Sequence, residues 1–281
     1  MRIATPAKIN LTLEILGRRP DGFHELATWM LPVGLYDELS ITFSLEEAYE
    51  TNVPALGFDG SNLVVRAIRA FDTEIDRRAG YRVRLEKKIP IGAGLGGGSS
   101  DAAAALLLLN RLYENPLTDR RLLELAADLG SDVAFFIERR STWCTGRGEK
   151  TVFREFPGDR WVVLIKPEFG VSTAEAYRLY QKLPMDRRQG AIKKTAWGGL
   201  RNDLEAPVFR KYLILPEIKS WLENQPETEV ALMSGSGSTI FALVGRAEIG
   251  DQIKARFSAG FGPEFWVQVC RLNPPPESIV D

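Results

Sequence analysis

Apolar and polar residues alternate at the start of the chain. In the stretch KINLTLEIL, residues 8–16, apolar side chains occupy the odd positions from 9 to 15 and polar side chains the even positions from 8 to 14. A period of two predicts a β-strand with one apolar and one polar face. Lys8 and Asn10 therefore share one face of this strand, and such a polar face is commonly in contact with solvent.

The rest of the N-terminal half alternates between strand and helix patterns. Strands are predicted at LATWMLPV (26–33), ELSITFS (38–44) and YRVRLEKKI (81–89). Helices are predicted at SNLVVRAIRAF (61–71), SSDAAAALLLLNRLY (99–113) and LTDRRLLELAADLG (117–130). The second helix is apolar on nearly every side, which indicates that it is buried.

The predicted elements of the C-terminal half follow the order β-α-β-β-α-β, with one additional helix. The strands are WVVLIKP (161–167), EVALM (229–233), TIFALV (239–244) and FWVQVCRL (265–272), and the helices are STAEAYRLYQKL (172–183), PEIKSWLEN (216–224) and EIGDQIKARF (248–257). This order is typical of a ferredoxin-like domain. A turn-rich segment near residue 150 separates it from the first half, so we expect one domain over residues 1–155 and a second over 156–281.

Composition narrows the possible functions. The chain has 281 residues and a net charge of −1, so it has no overall attraction for nucleic acids or acidic membranes. The longest apolar run is too short to cross a bilayer, and Met1 leads directly into a strand pattern, which together predict a cytoplasmic protein. The two cysteines form no CxxC pair, and His24 is the only histidine, which excludes multi-histidine metal sites.

The segment PIGAGLGGGSS, residues 90–100, is the strongest candidate for a binding loop. Its five glycines precede a buried helix, whose first turn offers free N–H groups, so phosphate binding is the leading hypothesis. It is not a Walker A loop, because Ser99 stands where that motif requires lysine. It matches GxGxxG, but the acidic residue of a dinucleotide fold and the downstream motifs of protein kinases are missing. A plain strand-to-helix turn is the remaining alternative.

A second loop of small residues lies in MSGSGSTIFAL, residues 233–243. A flexible linker is one interpretation, but linkers do not usually lie between short apolar strands. We therefore expect this loop to form part of a site, packed against the first loop or the ligand.

Three segments together resemble the signature motifs of the GHMP kinases, the family of galactokinase, homoserine kinase, mevalonate kinase and phosphomevalonate kinase. They are PAKINLTLEILGRRPDGFHEL, PIGAGLGGGSSDAA and MSGSGSTIFAL. The resemblance covers nearly the whole chain and is greatest for the branch whose substrate carries a cytidine diphosphate. It implies an α+β fold with two domains: an N-terminal, ribosomal-protein-S5-like domain for ATP binding and catalysis, and a C-terminal, ferredoxin-like domain for substrate binding.

The resemblance also implies phosphoryl transfer from ATP to a hydroxyl group of a small molecule. The implied catalytic residues are Lys8, Asn10 and Asp132, although an aspartate after a glycine is often only a helix N-cap. The implied ATP-binding residues are Pro90, Ile91, Gly92, Ala93, Gly94, Leu95, Gly96, Gly97, Gly98, Ser99 and Ser100 at the phosphates, Asn62 and Leu63 at the adenine, and Lys87 as an added charge. Mg²⁺ is implied with ATP, held mainly by the phosphates, and no protein ligands are assigned to it.

For the substrate, the resemblance implies a cytosine held between two aromatic rings. The corresponding residues are Phe23 and Tyr177, with His24 at the polar edge of the base; the other implied contacts are Thr173, Gly235, Ser236 and Gly237. Two positions depart from the family pattern: Phe23 stands where tyrosine is usual, and Ala134 follows Val133 where proline is usual. Neither change removes a reacting group.

Two other functions remain open. One is a GHMP kinase of the mevalonate or homoserine type, which would have no use for the aromatic residues and His24. The other is a nucleotide-binding protein without catalysis, against which the presence of both Lys8 and Asp132 argues. We expect a monomer or a homodimer whose ligands are ATP and a small molecule, with no nucleic acid or membrane partner.

Overall fold

In the computed structural model, which describes residues 1–77 and 79–280, the N-terminal half of the chain forms a six-stranded sheet. Its strands are β1 (Arg2–Arg18), β2 (His24–Ser44), β3 (Ala48–Thr51), β4 (Gly80–Glu86), β5 (Thr142–Gly146) and β6 (Lys150–Phe153). Strand β2 is central, because it pairs with β1 along its length, with β5 near its start and with β4 near its end.

One long strand, β2, replaces the two shorter strands predicted at 26–33 and 38–44. The two predicted segments are separated by GLYD, residues 34–37, where Gly34 interrupts the strand pattern, and the predicted separation was wrong. In the structure, the pairing of β1 with β2 shifts register between Pro6 and Ala7, opposite this segment, and both strands continue. A bulge of this kind bends a strand without ending it.

Four helices cover one face of this sheet. They are α1 (Leu63–Glu74), α2 (Gly97–Leu112), α3 (Asp119–Leu129) and α4 (Val133–Glu138). Helix α2 is buried on nearly all sides, as predicted, and it begins two residues earlier than its sequence pattern indicates. Helix α1 and the strand residues Val83 and Leu85 belong to the same apolar core as α2.

The C-terminal half forms a four-stranded antiparallel sheet within the described residues. Its strands are β7 (Trp161–Lys166), β10 (Val230–Met233), β11 (Ile240–Val244) and β12 (Trp266–Arg271), in the spatial order β10-β11-β7-β12. Its helices are α5 (Thr173–Lys182), α7 (Ile214–Glu223) and α8 (Ala247–Phe261). The predicted ferredoxin-like arrangement is therefore confirmed.

The segment between α5 and α7 contains structure that its sequence does not indicate. It forms a hairpin of β8 (Lys193–Thr195) and β9 (Gly198–Leu200), followed by α6 (Glu205–Lys211). These elements have three to seven residues, which is too short for a hydrophobic period to be detected.

The two sheets pack face to face. Ile9 and Leu11 of β1 share one buried core with Val162 and Leu164 of β7, whereas the alternate residue Val163 faces the C-terminal helices. The order of layers is therefore helices, sheet, sheet, helices. The expected division at residue 155 falls between β6 and β7 and stays a prediction, because this middle core takes side chains from both halves.

None of the helices in residues 1–77 and 79–280 is long and apolar enough to span a membrane.

Candidate active site

A cleft of about 1120 Å³ lies between the two halves of the chain. It is lined by Lys8 and Asn10 of β1, the glycine loop, Asp132, the start of α5 and the loop at Gly235. This volume is above the usual range for a single small-molecule site, about 300–1,000 Å³. The cleft therefore has room for two ligands.

The glycine loop presents bare backbone to this cleft. Gly92, Gly94 and Gly96 have φ angles of 65°, 74° and 72°, which favour glycine. Gly96 is the N-cap of α2, so the N–H groups of the first helical turn have no partner within the helix. A Cβ added at Gly98 would meet only Leu63 Cδ1, at 3.9 Å, so this side of the loop is open. Such a donor set suits the phosphates of ATP.

The second small-residue loop packs directly on the first, as predicted. Ser234 Oγ donates a hydrogen bond of 2.9 Å to Gly94 O, and the Thr239 N–H donates one of 3.2 Å to Ala93 O. A Cβ at Gly94 would lie 2.2 Å from Ser234 O, so only glycine permits this approach. A Cβ at Gly235 would lie 3.3 Å from Lys8 Nζ, which places this loop beside the charged centre of the cleft.

Lys8, Asn10 and Asp132 form that charged centre. Lys8 Nζ donates a hydrogen bond of 2.6 Å to Asn10 Oδ1 and lies 3.3 Å from Asp132 Oδ2. Asn10 Nδ2 in turn donates to Thr28 Oγ1 at 2.8 Å, which fixes the orientation of its amide. Lys8 and Asn10 on the polar face of β1 are thus buried, each 3% exposed, so the common interpretation of such a face as solvent-facing does not apply here.

Asp132 does not serve as a helix cap. It precedes α4, but its side chain makes no capping hydrogen bond. Its side chain is 35% exposed, in contrast to the buried side chain of Lys8. The carboxylate is therefore held by Lys8 and open to the cleft, which is the arrangement that a proton acceptor requires.

Lys87 lines the cleft, but its charge is compensated by buried carboxylates. Lys87 Nζ contacts the carboxylate of Asp37 and lies 2.7 Å from Asp101 Oδ2. The other oxygen of Asp101, Oδ1, accepts a hydrogen bond from Thr5. Burial raises the pKa of Asp101 to about 6, against the attraction of Lys87. The predicted contribution of Lys87 to phosphate binding therefore stays a prediction, and its observed contacts tie the glycine loop to β2 and α2.

Phe23, His24 and Tyr177, which the resemblance assigns to a cytosine, line the cleft, and their contact with a ligand stays a prediction. The rings of His24 and Tyr177 stack on each other, with centroids 4.9 Å apart and an angle of 18° between planes. Phe23 is 52% exposed, and the guanidinium carbon of Arg147 lies 5.1 Å from its ring centroid. Burial, with the charges of Arg18 and Arg188, lowers the pKa of His24. The three rings line one cleft, but Tyr177 already has an aromatic neighbour.

Most of the other predicted residues also line the cleft. The hydroxyls of Thr173 and Ser236 lie 3.3 Å apart, so they join α5 to the second loop. Asn62 and Leu63 line the cleft at the start of α1, where Asn62 Oδ1 accepts a hydrogen bond from the Val64 N–H and caps the helix.

Two predicted residues, Ser100 and Gly237, are not among the lining residues. Ser100 Oγ is buried beside Pro6 and Phe136 because the helical turn from Gly97 carries it to the far side of α2. A Cβ at Gly237 would meet the side chain of Met233, which shows that this glycine packs inward. Direct contact of the Ser100 side chain with ATP is therefore not supported.

Two residues that shape the site, Asn202 and Arg147, were not predicted from the sequence. Asn202 is fully buried, and its Nδ2 donates hydrogen bonds to Met233 O at 2.7 Å and Gly235 O at 2.8 Å, which hold the second loop. Arg147 reaches the cleft from the turn between β5 and β6. Both lie outside the three segments on which the family resemblance is based, so no motif assigned a role to them.

Across residues 1–77 and 79–280, no cluster of three or more histidine, cysteine, aspartate or glutamate side chains is arranged to hold a metal ion.

Comparisons with known proteins place this chain among kinases of small molecules. The family model of the GHMP kinases N terminal domain matches residues 62–139, and that of the GHMP kinases C terminal matches residues 190–262. A 4-diphosphocytidyl-2-C-methyl-D-erythritol kinase of Methylacidiphilum infernorum (isolate V4) is 43% identical over 95% of each chain. Another of Desulfitobacterium hafniense (strain Y51) is 40% identical over 89% of each chain.

A solved structure shows the same fold. It is a crystal structure of 4-(cytidine 5'-diphospho)-2C-methyl-D-erythritol kinase, with a TM-score of 0.78 and 32% identity, covering 98% of this chain and 100% of the other. The expected α+β fold of two GHMP kinase domains is confirmed. The chain therefore belongs to the GHMP kinase family and, within it, to the 4-diphosphocytidyl-2-C-methyl-D-erythritol kinases.

Proposed function

We propose that this protein transfers the γ-phosphoryl group of ATP to the 2-hydroxyl of 4-diphosphocytidyl-2-C-methyl-D-erythritol, a step of the non-mevalonate isoprenoid pathway. Its family makes the chain an ATP-dependent phosphotransferase. One observation carries the choice of reaction centre: the pair of Lys8 and Asp132 lies in the same cleft as the glycine loop and the ring pair of His24 and Tyr177.

In the proposed reaction, the substrate hydroxyl lies between Asp132 and the γ-phosphorus. The hydroxyl oxygen forms a bond to phosphorus, the bond from phosphorus to the bridging oxygen of ADP breaks, and the hydroxyl proton passes to Asp132. Lys8 compensates negative charge on the carboxylate and on the transferred group, and Asn10 holds the Lys8 ammonium in place. Alignment and charge compensation are the main contributions that phosphoryl transfer needs from a protein.

We assign the phosphates of ATP to the glycine loop and the first turn of α2. The open side of Gly98 and the free N–H groups support this assignment. Mg²⁺ bound with ATP would neutralise charge on the β- and γ-phosphates. Asp132 is the carboxylate side chain that would lie nearest to this ion. Adenine is assigned to Asn62 and Leu63.

We assign the cytosine to Phe23, His24 and Tyr177, with the second loop and Thr173 near the phosphates and the polyol. The exposed ring of Phe23 supports this assignment because an exposed aromatic ring in a cleft offers a face for stacking. Residues 1–155 would then supply ATP binding and catalysis, and residues 156–281 would complete the substrate site.

The function can be tested with the purified full chain. With ATP and Mg²⁺, we expect phosphorylation of 4-diphosphocytidyl-2-C-methyl-D-erythritol at the 2-hydroxyl, identified by phosphorus NMR of the product. Mevalonate, homoserine and galactose are the comparison substrates, and we expect no appreciable turnover of these. Comparable kcat/KM for any of the three would contradict the proposal and favour another member of the family.

A further inference from the structure

Arg147 lines the cleft from a turn whose backbone is held in place by its neighbours. It lies in the turn between β5 and β6, between Gly146 and Gly148, whose φ angles are 75° and 115°. The Arg147 N–H donates a hydrogen bond of 2.6 Å to Glu149 Oε2, which fixes the backbone of the turn. A Cβ at Gly148 would lie 3.5 Å from Ser131 Cβ, so the turn packs against the segment that carries the proposed proton acceptor.

The guanidinium of Arg147 has no ion-pair partner among the described residues. Its hydrogen bond to a protein acceptor, from Nη2 to Ala127 O, is 3.5 Å long and therefore weak. Asp21 is near enough to feel its charge, but the Asp21 carboxylate lies 3.1 Å from Arg19 Nε. In contrast, the ammonium groups of Lys8 and Lys87 are paired with carboxylates.

A cleft arginine without a carboxylate is suited to an anionic ligand. Its planar fork of N–H groups matches phosphate oxygens, and an aromatic ring stacked beneath it restricts the orientation of the fork. The ring in this case is Phe23, 5.1 Å from the guanidinium carbon. Because Phe23 belongs to the proposed cytosine site, the anion that Arg147 would meet is part of the acceptor substrate, whereas the glycine loop accounts for the phosphates of ATP.

We infer that Arg147 is a substrate-binding residue that contacts the diphosphate of the cytidine-diphosphate acceptor while its guanidinium lies on the ring of Phe23. This inference rests on the proposed function and adds a contact that determines specificity. Arg147 thereby distinguishes a nucleoside diphosphate ester from uncharged or singly charged alcohols, which would leave the guanidinium without an anion.

The test compares Arg147→Met with Arg147→Lys and with a matched control, Arg140→Met. Arg140 lies over the ring of Phe153 at 5.2 Å, which is nearly the same geometry, but it does not line the cleft. We expect Arg147→Met to raise the KM for the acceptor by about tenfold or more, the loss expected for a charged hydrogen bond. In Arg147→Met, the KM for ATP should change less than about twofold. The KM of Arg147→Lys for the acceptor should lie between those of the wild type and Arg147→Met. Both KM values of Arg140→Met should match those of the wild type.

A binding experiment separates the diphosphate from the base. Calorimetric titrations with cytidine diphosphate and with cytidine should show that Arg147→Met loses affinity for the diphosphate and retains affinity for the nucleoside. Equal losses for both ligands, or equal rises in both KM values, would overturn the inference. If the wild type binds cytidine diphosphate but does not phosphorylate the acceptor, the proposed function fails while these titrations still decide the role of Arg147. Melting temperatures of all variants verify that each one folds.

Discussion

At the scale of single residues, the chemistry that the site can perform depends on which of its charged side chains are paired with an opposite charge. Lys8 is buried and has two polar neighbours, Asn10 at 2.6 Å and Asp132 at 3.3 Å. Asp132 is partly open to the cleft, so it is the member of the pair that can exchange a proton with a ligand. A buried ammonium that loses its carboxylate partner is costly, so the two residues are expected to act as a unit.

Substitution of Asp132 should separate catalysis from ATP binding. Asp132→Asn keeps the size of the side chain but removes the proposed proton acceptor, so kcat should fall at least about 100-fold, in the range of general base catalysis. The Kd for ATP should stay within a few-fold, because the glycine loop is unchanged.

The matched control for this prediction is Asp128→Asn, an exposed aspartate in α3 that does not line the cleft. It should leave both kcat and the Kd for ATP unchanged. A near-normal kcat for Asp132→Asn would show that the carboxylate is not the proton acceptor.

The second residue-scale prediction concerns His24, whose pKa is lowered by burial and by Arg18 and Arg188. The neutral ring therefore persists below the ordinary pKa of about 6.5. The KM for the acceptor should be level from pH 8 to about 6.5 and should rise at lower pH as the ring takes up a proton. Below pH 6.5 the unfolded chain also binds the proton more readily than the folded chain, so His24 then lowers stability.

Because His24 is the only histidine, its titration can be followed as a single imidazole signal by proton NMR. A measured pKa at or above 6.5 would contradict the prediction. The control is His24→Asn, in which any remaining change of KM between pH 6.5 and 5 must come from other groups.

At the scale of elements, the site is made by two loops in contact. The glycine loop comes from the N-terminal half and the second loop from the C-terminal half. They meet where Ser234 Oγ donates a hydrogen bond to Gly94 O. Asn202 holds the second loop through its hydrogen bonds to Met233 O and Gly235 O. The shape of each loop therefore depends on the other.

Two glycines of the same loop should respond in opposite ways to alanine. At Gly94 the φ angle is positive and a Cβ would lie 2.2 Å from Ser234 O, so Gly94→Ala should lower the Tm by about 5 °C or more. At Gly98 a Cβ would meet only Leu63, at an ordinary distance of 3.9 Å, so Gly98→Ala should leave the Tm unchanged or slightly higher. Equal effects in a thermal melt would show that the loops do not touch as described.

Elements in which a hydrophobic pattern repeats over many residues were predicted from the sequence, whereas short elements were not. The strand at residues 8–16, the buried helix α2 and the ferredoxin-like order follow from repeated spacing over six or more residues. The continuity of β2 through residues 34–37 and the short helix α6 depend on partners distant in sequence, which a local pattern does not contain.

The candidate site shows the same division between local and distant information. The glycine loop, Lys8 and Asp132 were identified from motifs. The stacking of His24 on Tyr177 and the placement of Arg147 over Phe23 join residues more than 100 positions apart. No spacing along the chain encodes such contacts, so only the folded structure shows them.

At the scale of the whole molecule, a single core joins the two halves. Strands β1 and β2 contribute Ile9 and Trp29 to the core between the sheets, and β7 and β11 contribute Val162 and Phe241. Neither half would keep this core buried on its own. We therefore expect the protein to unfold as one cooperative unit, even though its family motifs define two domains.

The two cysteines report on this cooperativity, because both are free and buried. Cys144 lies in the core of the N-terminal half, and Cys270 lies in the core between the sheets. Burial raises the pKa of both thiols, that of Cys270 to about 11, so neither should react in the folded state. In a urea series, both thiols should become reactive with a thiol reagent at the same midpoint.

Single variants allow each thiol to be followed separately: Cys144→Ala reports on Cys270, and Cys270→Ala reports on Cys144. A lower midpoint for Cys270 than for Cys144, after correction for the stability of each variant, would show that the halves separate before the N-terminal half unfolds. The division near residue 155 would then mark two independent folding units.

The stack of His24 on Tyr177 has a consequence for how a base enters the cleft. Their centroids are 4.9 Å apart, whereas a ring inserted between two others needs about 7 Å, twice the contact distance of carbon atoms. A pyrimidine that is to lie against this face of Tyr177 must first displace the imidazole. If the cytosine stacks there, as we propose, it must compete with a tethered ring that the free protein already holds in that place.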